Sequence, residues 1–267
     1  NHWPVGAEVM LIQSELTTFL ERYPALEPMR GDLVSAYECL RESIAEGQKI
    51  LTCGNGGSAA DAEHIVGELV KSFNVRRPLE EADAKLFRAH FPDHADEMLA
   101  NLEGGIPAIS LVSFTSLMTA FGNDIGFDFA FAQQVHVLGN PGDVLIAIST
   151  SGNSKNVLHA CRVAKVKGVK VVALTGTTGG ALASLADVVL KAPSTETHII
   201  QEYHLPIYHF LCYALELHFF GHNGLKSSGA PGGSETASSE GRASRLPERI
   251  ELVIFDFDGV MTDNRVL

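Results

Sequence analysis

The chain has 267 residues, 45% hydrophobic and 19% charged, the proportions of a globular protein with material for one large domain and some appendages. A formal net charge of −12 with no basic stripe argues against a nucleic-acid surface, whose phosphates need clustered Lys and Arg. No apolar run reaches membrane-spanning length and no signal-peptide pattern opens the chain, so a cytoplasmic protein with no membrane contact is expected.

Residues 1–6 are set aside as a terminal tail. Residues 7–22 carry apolar positions at spacings of three and four, among them Leu16, Phe19 and Leu20, which predicts an amphipathic helix ended near Pro24. A second helix is expected from Asp32 to Glu46, stopped by Gly47. Next, the strand-like run Lys49 to Thr52 enters Cys53-Gly-Asn-Gly-Gly-Ser58 and leaves as a helix carrying His64 and Glu68. Such a turn aims backbone N–H groups and a helix N-terminus at one spot, where an anion is stabilised. His64 and Glu68, four apart, share one helix face behind it; alone, such a pair is usually a surface ion pair.

After Arg77-Pro78, residues 80–103 are acidic and helical in pattern, with Leu86, Phe87, His90 and Phe91 as a short apolar face. They read as a solvated helical insertion or as a lid. A strand is expected at Ala108 to Val112, then a helix from Thr115 to Phe121 running into Asn123-Asp124, and another from Phe127 to Leu138. Asp143 to Ile148 is an almost continuous apolar run, the mark of a parallel strand covered on both faces. It opens into Ser149-Thr-Ser-Gly-Asn-Ser154 and a helix from Lys155 to Lys167, a second anion-binding turn with added hydroxyls. Strands at Val169 to Leu174 and Asp187 to Lys191 follow, and then a long helix from Thr195 to Phe220 that Pro206 is expected to kink.

Strands alternating with helices at this spacing predict an α/β doubly wound parallel sheet in three layers, flavodoxin-like, with leading helices and a long C-terminal helix. Ligands are expected outside the carboxyl ends of the strands. The four cysteines, Cys39, Cys53, Cys161 and Cys212, are widely spaced with no CxxC and read as buried thiols; Cys53 reads as packing rather than as a nucleophile.

Taken in order, the Cys53 to Ser58 turn with His64 and Glu68, Asn123-Asp124, the Ser149 to Ser154 turn, and Gln201-Glu202 with His209 resemble the sugar isomerase (SIS) family, in particular its phosphoheptose isomerase type. The resemblance covers residues 7–220. It implies an aldose–ketose isomerase that converts sedoheptulose 7-phosphate to D-glycero-D-manno-heptose 7-phosphate through an enediol, for surface polysaccharide synthesis. It also implies substrate binding by Asn55, Gly56, Gly57, Ser58, Glu68, Asn123, Asp124, Ser149, Thr150, Ser151, Ser154 and Gln201. Glu68 and His209 are the implied acid and base, their assignment open, and His64, Glu68, Gln201 and His209 the implied ligands of one zinc ion. Family members are tetramers with sites between subunits, so a homotetramer is implied.

The reaction itself needs one base, one acid and a stabiliser of the developing oxyanion, which these residue types supply. Gln201 and His209 are eight residues apart, about 12 Å along a straight helix, so a kink or a second subunit is needed for both to reach one ion. The insertion and Ile199, where many relatives place Arg, depart from the family pattern and leave other sugar phosphates open. A non-catalytic SIS module that binds a sugar phosphate or a protein is the competing class; the acid/base set favours the enzyme. Beyond the isomerase region, residues 221–248 have Gly/Ser-rich linker composition. Residues 249–267, with Phe255-Asp-Phe-Asp-Gly259, resemble the first strand of a haloacid-dehalogenase-type phosphatase and lack its later motifs.

Overall fold

The computed structural model describes residues 5–224, and the side chains of residues 12–221. Five parallel strands form one sheet in the order β2-β1-β3-β4-β5. They are β1 (Ile50–Cys53), β2 (Ala108–Ser110), β3 (Val144–Ile148), β4 (Lys170–Gly176) and β5 (Val188–Ala192). The register runs Thr52 against Ser110 and Ile146, and Ile146 against Val172, which pairs with Val188. Because β2 and β3 lie on opposite sides of β1, the chain reverses its direction of growth between β1 and β3. The carboxyl ends of those two strands flank the crevice that such a reversal opens.

The period of two along the strands sorts side chains to opposite faces. Ile50, Val144, Ile146, Ile148, Val172 and Leu174 pack with α1 (Val5–Arg22), α2 (Arg30–Ala45), α3 (Gly57–Val70) and α9 (Thr197–Gly224). Leu51, Cys53, Leu145, Ala147, Val171 and Ala173 pack on the other side, with α7 (Ala130–Leu138) and α8 (Lys155–Lys167). Every position of β3 is buried, as its continuous apolar run requires. All four cysteines are buried free thiols.

Several boundaries differ from the sequence reading. The first helix begins at Val5, inside the expected tail. A 3₁₀ turn, Pro24–Met29, fills the gap before α2, which starts at Arg30. Pairing stops β2 at Ser110, because Leu111 turns away after donating to the Thr52 carbonyl. The helix expected from Phe127 opens as a 3₁₀ turn, Phe127–Phe129, before α7. The final helix continues through Gly224, past the expected start of the linker, and Pro206 lies inside it without ending it. The rest of the expected linker, 225–248, and the phosphatase-like segment, 249–267, lie outside the described residues.

Residues 80–103 form two short helices, α4 (Glu81–His90) and α5 (Ala95–Asn101), closed at the base by an antiparallel bridge between Pro78 and Glu103. Ala84 and Ala95 are buried, whereas Leu86 and Phe91 from the expected apolar face are exposed.

A buried ion pair locks the lower part of the site layer. Arg77 Nε donates to Glu216 Oε1 at 2.8 Å with both side chains fully buried. The backbone N–H groups of Phe73, Asn74 and Val75 also donate to the Glu216 carboxylate. The other guanidinium nitrogens of Arg77 donate to the carbonyls of Leu69 and Glu68, two of the acceptors that the end of α3 leaves unpaired. The Phe220 ring covers the guanidinium, 4.8 Å from its centroid. Removing one member strands the other charge in the interior. Arg77→Ala and Glu216→Ala are therefore each expected to lower unfolding free energy by about 3–5 kcal/mol in urea titrations. The double variant should cost far less than the sum of the two.

Candidate active site

The turn after β1 and the turn after β3 stand side by side over the β1/β3 crevice. Asn55 and Asn156 join them through two reciprocal amide bonds, Asn55 Nδ2 to Asn156 Oδ1 at 2.9 Å and Asn156 Nδ2 to Asn55 Oδ1 at 2.8 Å. Asn156 also accepts the Val157 N–H, which anchors it to the first turn of α8. Gly56 carries φ +57° at the N-cap of α3, and neither it nor Ser154, the N-cap of α8, places a side chain over the helix end. Neither N-cap residue thus supplies a capping oxygen, although Asn156 Oδ1 takes the Val157 N–H of α8, and the N–H groups left at the two helix starts suit an anion. Not every N–H remains available, however, because Ser58 and Ala59 donate to the Asn55 and Gly56 carbonyls.

The hydroxyl turn is held in shape from within. Ser149 Oγ donates to Ser154 Oγ at 3.0 Å, Ser151 Oγ accepts the Asn153 N–H, and Thr150 O accepts the Gly176 N–H from the end of β4. Gly152 has φ +66°, and a Cβ there would strike the carbonyl of Gly179, so no other residue fits without moving the turn. Asn55, Gly56, Gly57 and Ser151 are exposed at the crevice, while Ser58 and Ser149 are buried. Asn123 and Asp124 lie exposed at the end of α6 (Thr115–Asp124) and hydrogen-bond to each other, with no bond from either to the two turns among the described residues.

The acid/base groups lie deeper along α3. Helices α3 and α9 run side by side in the same direction: Gly57 lies against Gln201, His64 against Tyr208 and His209, and Phe73 against Glu216. Gly57, Asp61, His64 and Glu68 recur at spacings of three and four and so share one face. His64 Nε2 is 3.0 Å from Glu68 Oε1, and the His64 and His209 ring centroids are 5.0 Å apart with the planes at 86°. Glu68 Oε2 and His209 Nε2 are both buried with no hydrogen-bond partner among the described residues; the Lys71 ammonium is 4.0 Å from that carboxylate oxygen. Burial holds the His209 imidazole below its usual pKa, with the neighbouring His64 adding to the shift and Glu68 opposing it. At neutral pH the His209 ring is therefore uncharged and able to accept a proton.

Among the expected zinc ligands, His64, Glu68 and His209 meet here. Gln201 does not join them: its carboxamide lies against Gly57, 2.5 Å from where a Cβ would stand, two turns before His209 on α9. Among the described residues no three His, Cys, Asp or Glu side chains stand in ligating geometry. The two unpartnered atoms are nevertheless the nitrogen and oxygen lone pairs that a borderline cation such as zinc accepts, so the donor chemistry fits.

A cavity of about 310 Å³ opens beside His209. Glu15, Thr18 and Arg22 of α1 wall it, with Phe73, Asn74 and Tyr213. The sequence reading missed Asn156, Asp61 and Tyr208. For Asp61 a signal was present in its spacing of three before His64; for Asn156 and Tyr208 there was none short of the packing. Burial pushes the Asp61 carboxyl up to about 6, against its bond from the Tyr208 hydroxyl.

The geometry above agrees with what the chain resembles among known proteins. The SIS domain profile matches residues 17–104 and 94–176. Phosphoheptose isomerase of Burkholderia pseudomallei strain 1710b is 45% identical over 179 residues, covering 67% of this chain and 78% of that protein. The phosphoheptose isomerase of Akkermansia muciniphila is 34% identical over 210 residues, covering 79% of this chain and 97% of that protein. The solved structure of phosphoheptose isomerase from Neisseria gonorrhoeae superposes with a TM-score of 0.59 at 33% identity, over 79% of this chain and 98% of that one.

His204, one turn after Gln201, is fully buried against the Thr175 carbonyl, and burial lowers its pKa to about 4. Between that value and the ordinary 6.5 the unfolded chain binds more protons than the folded one, so acidification through this window favours unfolding. The stability of wild type relative to His204→Gln should therefore fall by up to about 3 kcal/mol from pH 6.5 to pH 4, read from urea midpoints. Parallel profiles of the two proteins would contradict a neutral buried His204.

Proposed function

The chain belongs to the SIS domain family, and from that premise we propose that it interconverts sedoheptulose 7-phosphate and D-glycero-D-manno-heptose 7-phosphate. One observation carries the reading. Glu68 Oε2 and His209 Nε2, two buried acid/base atoms with no hydrogen-bond partner among the described residues, meet where α9 packs on the α3 face that begins at the Gly-rich turn. A binding module needs the turns alone and has no use for an unsatisfied acid/base pair in its interior.

The dimensions suit such a substrate. From Gly57 to His64 is about 10 Å along α3 at the standard rise. An extended chain advances about 3.5 Å per three bonds, so the eight bonds from C1 of a heptose to its phosphorus span about 9 Å. The phosphate would sit on the Ser149 to Ser154 hydroxyls and the α3 and α8 N-termini, with Asn55, Gly56, Gly57 and Gln201 along the chain. In the ketose-to-aldose direction, one of Glu68 and His209 takes the C1 proton, which leaves an enediolate charged on the former carbonyl oxygen. That oxygen is protonated, O1 gives up its proton, and C2 is protonated. The neutral state of His209 leaves Nε2 a lone pair with which to take up a proton, the ring then becoming an imidazolium beside Glu68.

The reading includes one zinc ion, for which His64, Glu68 and His209 supply donors and Gln201 is the fourth ligand expected from the family resemblance. Bound there, zinc would supply Lewis-acid polarisation of the substrate carbonyl. It also includes a cytoplasmic homotetramer with sites between subunits, in a route to surface polysaccharide. Exposed Ile125, Phe127, Phe129, Val137 and Val166 on and around α6 to α8 favour assembly, and four free thiols favour a reducing compartment. None of the described helices is long and apolar enough to cross a membrane.

The purified protein, supplied with zinc, should convert sedoheptulose 7-phosphate to the aldose. Glu68→Gln and His209→Ala should each lower kcat by about 10²-fold or more. Chelator treatment should abolish turnover and added zinc restore it. An inactive wild type, or variants that turn over undiminished, would overturn the assignment.

A further inference from the structure

Asn156 is the second residue of α8, so its side chain stands at the N-terminal end of that helix, while Asn55 is exposed in the turn after β1. The two carboxamides meet edge to edge, each giving one hydrogen to the other's oxygen, at 2.9 and 2.8 Å. A carboxamide carries two hydrogens and two acceptor lone pairs. The ring of two bonds therefore leaves Asn55 one hydrogen on Nδ2 and one lone pair on Oδ1, at opposite flanks of the amide. No other hydrogen bond engages its side chain among the described residues.

The ring alone does not fix which end of each amide is which. Turning both amides over would exchange every nitrogen with every oxygen and rebuild the same two bonds. The Val157 backbone breaks this tie, because its N–H donates to Asn156 Oδ1 at 3.0 Å. A backbone N–H only donates, so the reversed setting would set the Asn156 amino group against it and lose that bond. The positive end of the α8 dipole favours the same setting, drawing the oxygen rather than the amino group to the first turn. Neither amide has a further partner among the described residues that would favour the reversal. Val157 thus orients Asn156, and Asn156 orients Asn55.

We propose that Asn156 is a positioning residue for the sugar, which immobilises the Asn55 carboxamide at the crevice and fixes the flank from which it donates and the flank from which it accepts. A polyhydroxylated chain complements both flanks, because each hydroxyl can donate or accept, whereas an ionised phosphate only accepts. Asn55 is thereby assigned to the hydroxyls of the substrate, and the Ser149 to Ser154 turn to its phosphate. Without Asn156 an exposed side chain would have to be ordered by the substrate itself, which weakens binding. The assignment rests on the reading of the crevice as a sugar-phosphate site.

With zinc and sedoheptulose 7-phosphate, Asn156→Ala should raise KM about 3- to 10-fold with kcat little changed, the cost of ordering one freed side chain. Asn55→Ala should raise KM at least as far, and the double variant no further than Asn55→Ala alone. Inhibition by inorganic phosphate should be the same in all of these proteins. Asn156→Asp keeps the shape, the Val157 bond and a favourable charge at the helix N-terminus, so its urea midpoint should not fall. It sets an oxygen against Asn55 Oδ1, and should raise KM more in the presence of Asn55 than in Asn55→Ala. In side-chain ¹⁵N spectra, where Asn55→Ala identifies the signal, one Asn55 amide hydrogen should be shifted and slower to exchange than the other, and Asn156→Ala should abolish the difference. Equal KM penalties with and without Asn55, weaker phosphate inhibition in Asn156→Ala, or an unbonded Asn55 amide in wild type overturns the proposal. If wild type is inert, the functional reading falls and the same cycle is read as calorimetric affinity for the sugar phosphate. Additive penalties there, or no binding at all, overturn the proposal as well.

Discussion

The pair of Arg77 and Glu216 sets the geometry on which the site depends. Two opposite charges with no exposed atoms can persist only if each hydrogen-bonding position is filled. Here the filling groups come from three separate segments. Arg77 holds the final carbonyls of α3, Glu216 holds the loop from Phe73 to Val75, and the pair itself ties both to α9. Any sliding of α9 along α3 would break several of these bonds together. The register that seats Gln201 at Gly57 and His209 beside His64 is thereby closed at the far end, two turns beyond His209.

The near end is closed differently. Reciprocal amide bonds between Asn55 and Asn156 span the crevice where the sheet reverses its order of growth, and the turns they join carry the anion-binding groups. Parallel pairing of β1 with β3 brings together two turns nearly a hundred residues apart in the chain. The candidate site is in this sense two half-sites ranged along α3, the second completed by His209 of α9. One is an exposed polar cradle at the N-terminus of α3; the other is a half-buried acid/base cluster two turns further on. Solvent access sets the two apart, because Asn55, Gly56, Gly57 and Ser151 of the cradle are exposed while burial holds the His209 imidazole below its usual pKa.

Residues 80–103 stand apart from this scheme. The two short helices are bridged at their base by Pro78 and Glu103, yet Leu86 and Phe91 stay exposed. Their period of three and four is real, but among the described residues the faces it defines bury only Ala84 and Ala95, with Phe87 and Leu99 half-buried. Amphipathic spacing specifies a helix and a side; it does not specify what that side touches.

Much of the protein was legible from local order alone. The alternation of apolar runs with helical spacing is a short-range property, and it indicated the parallel sheet, the buried β3 and the positions of both turns. The SIS-like succession of Cys53 to Ser58, His64, Glu68, Ser149 to Ser154, Gln201 and His209 likewise lies on the sequence. What the tertiary structure alone decided is which of these side chains meet. It brought His209 to His64 and left Gln201 at Gly57, and it left Asn123 and Asp124 bonded to each other on an exposed helix end. It also introduced Asn156, Asp61, Tyr208 and the Arg77 pair, whose importance comes from burial and from partners distant in sequence. Periodicity is set by neighbours three or four residues away, whereas the desolvation that makes a carboxylate or an imidazole reactive is set by whatever the rest of the chain packs around it.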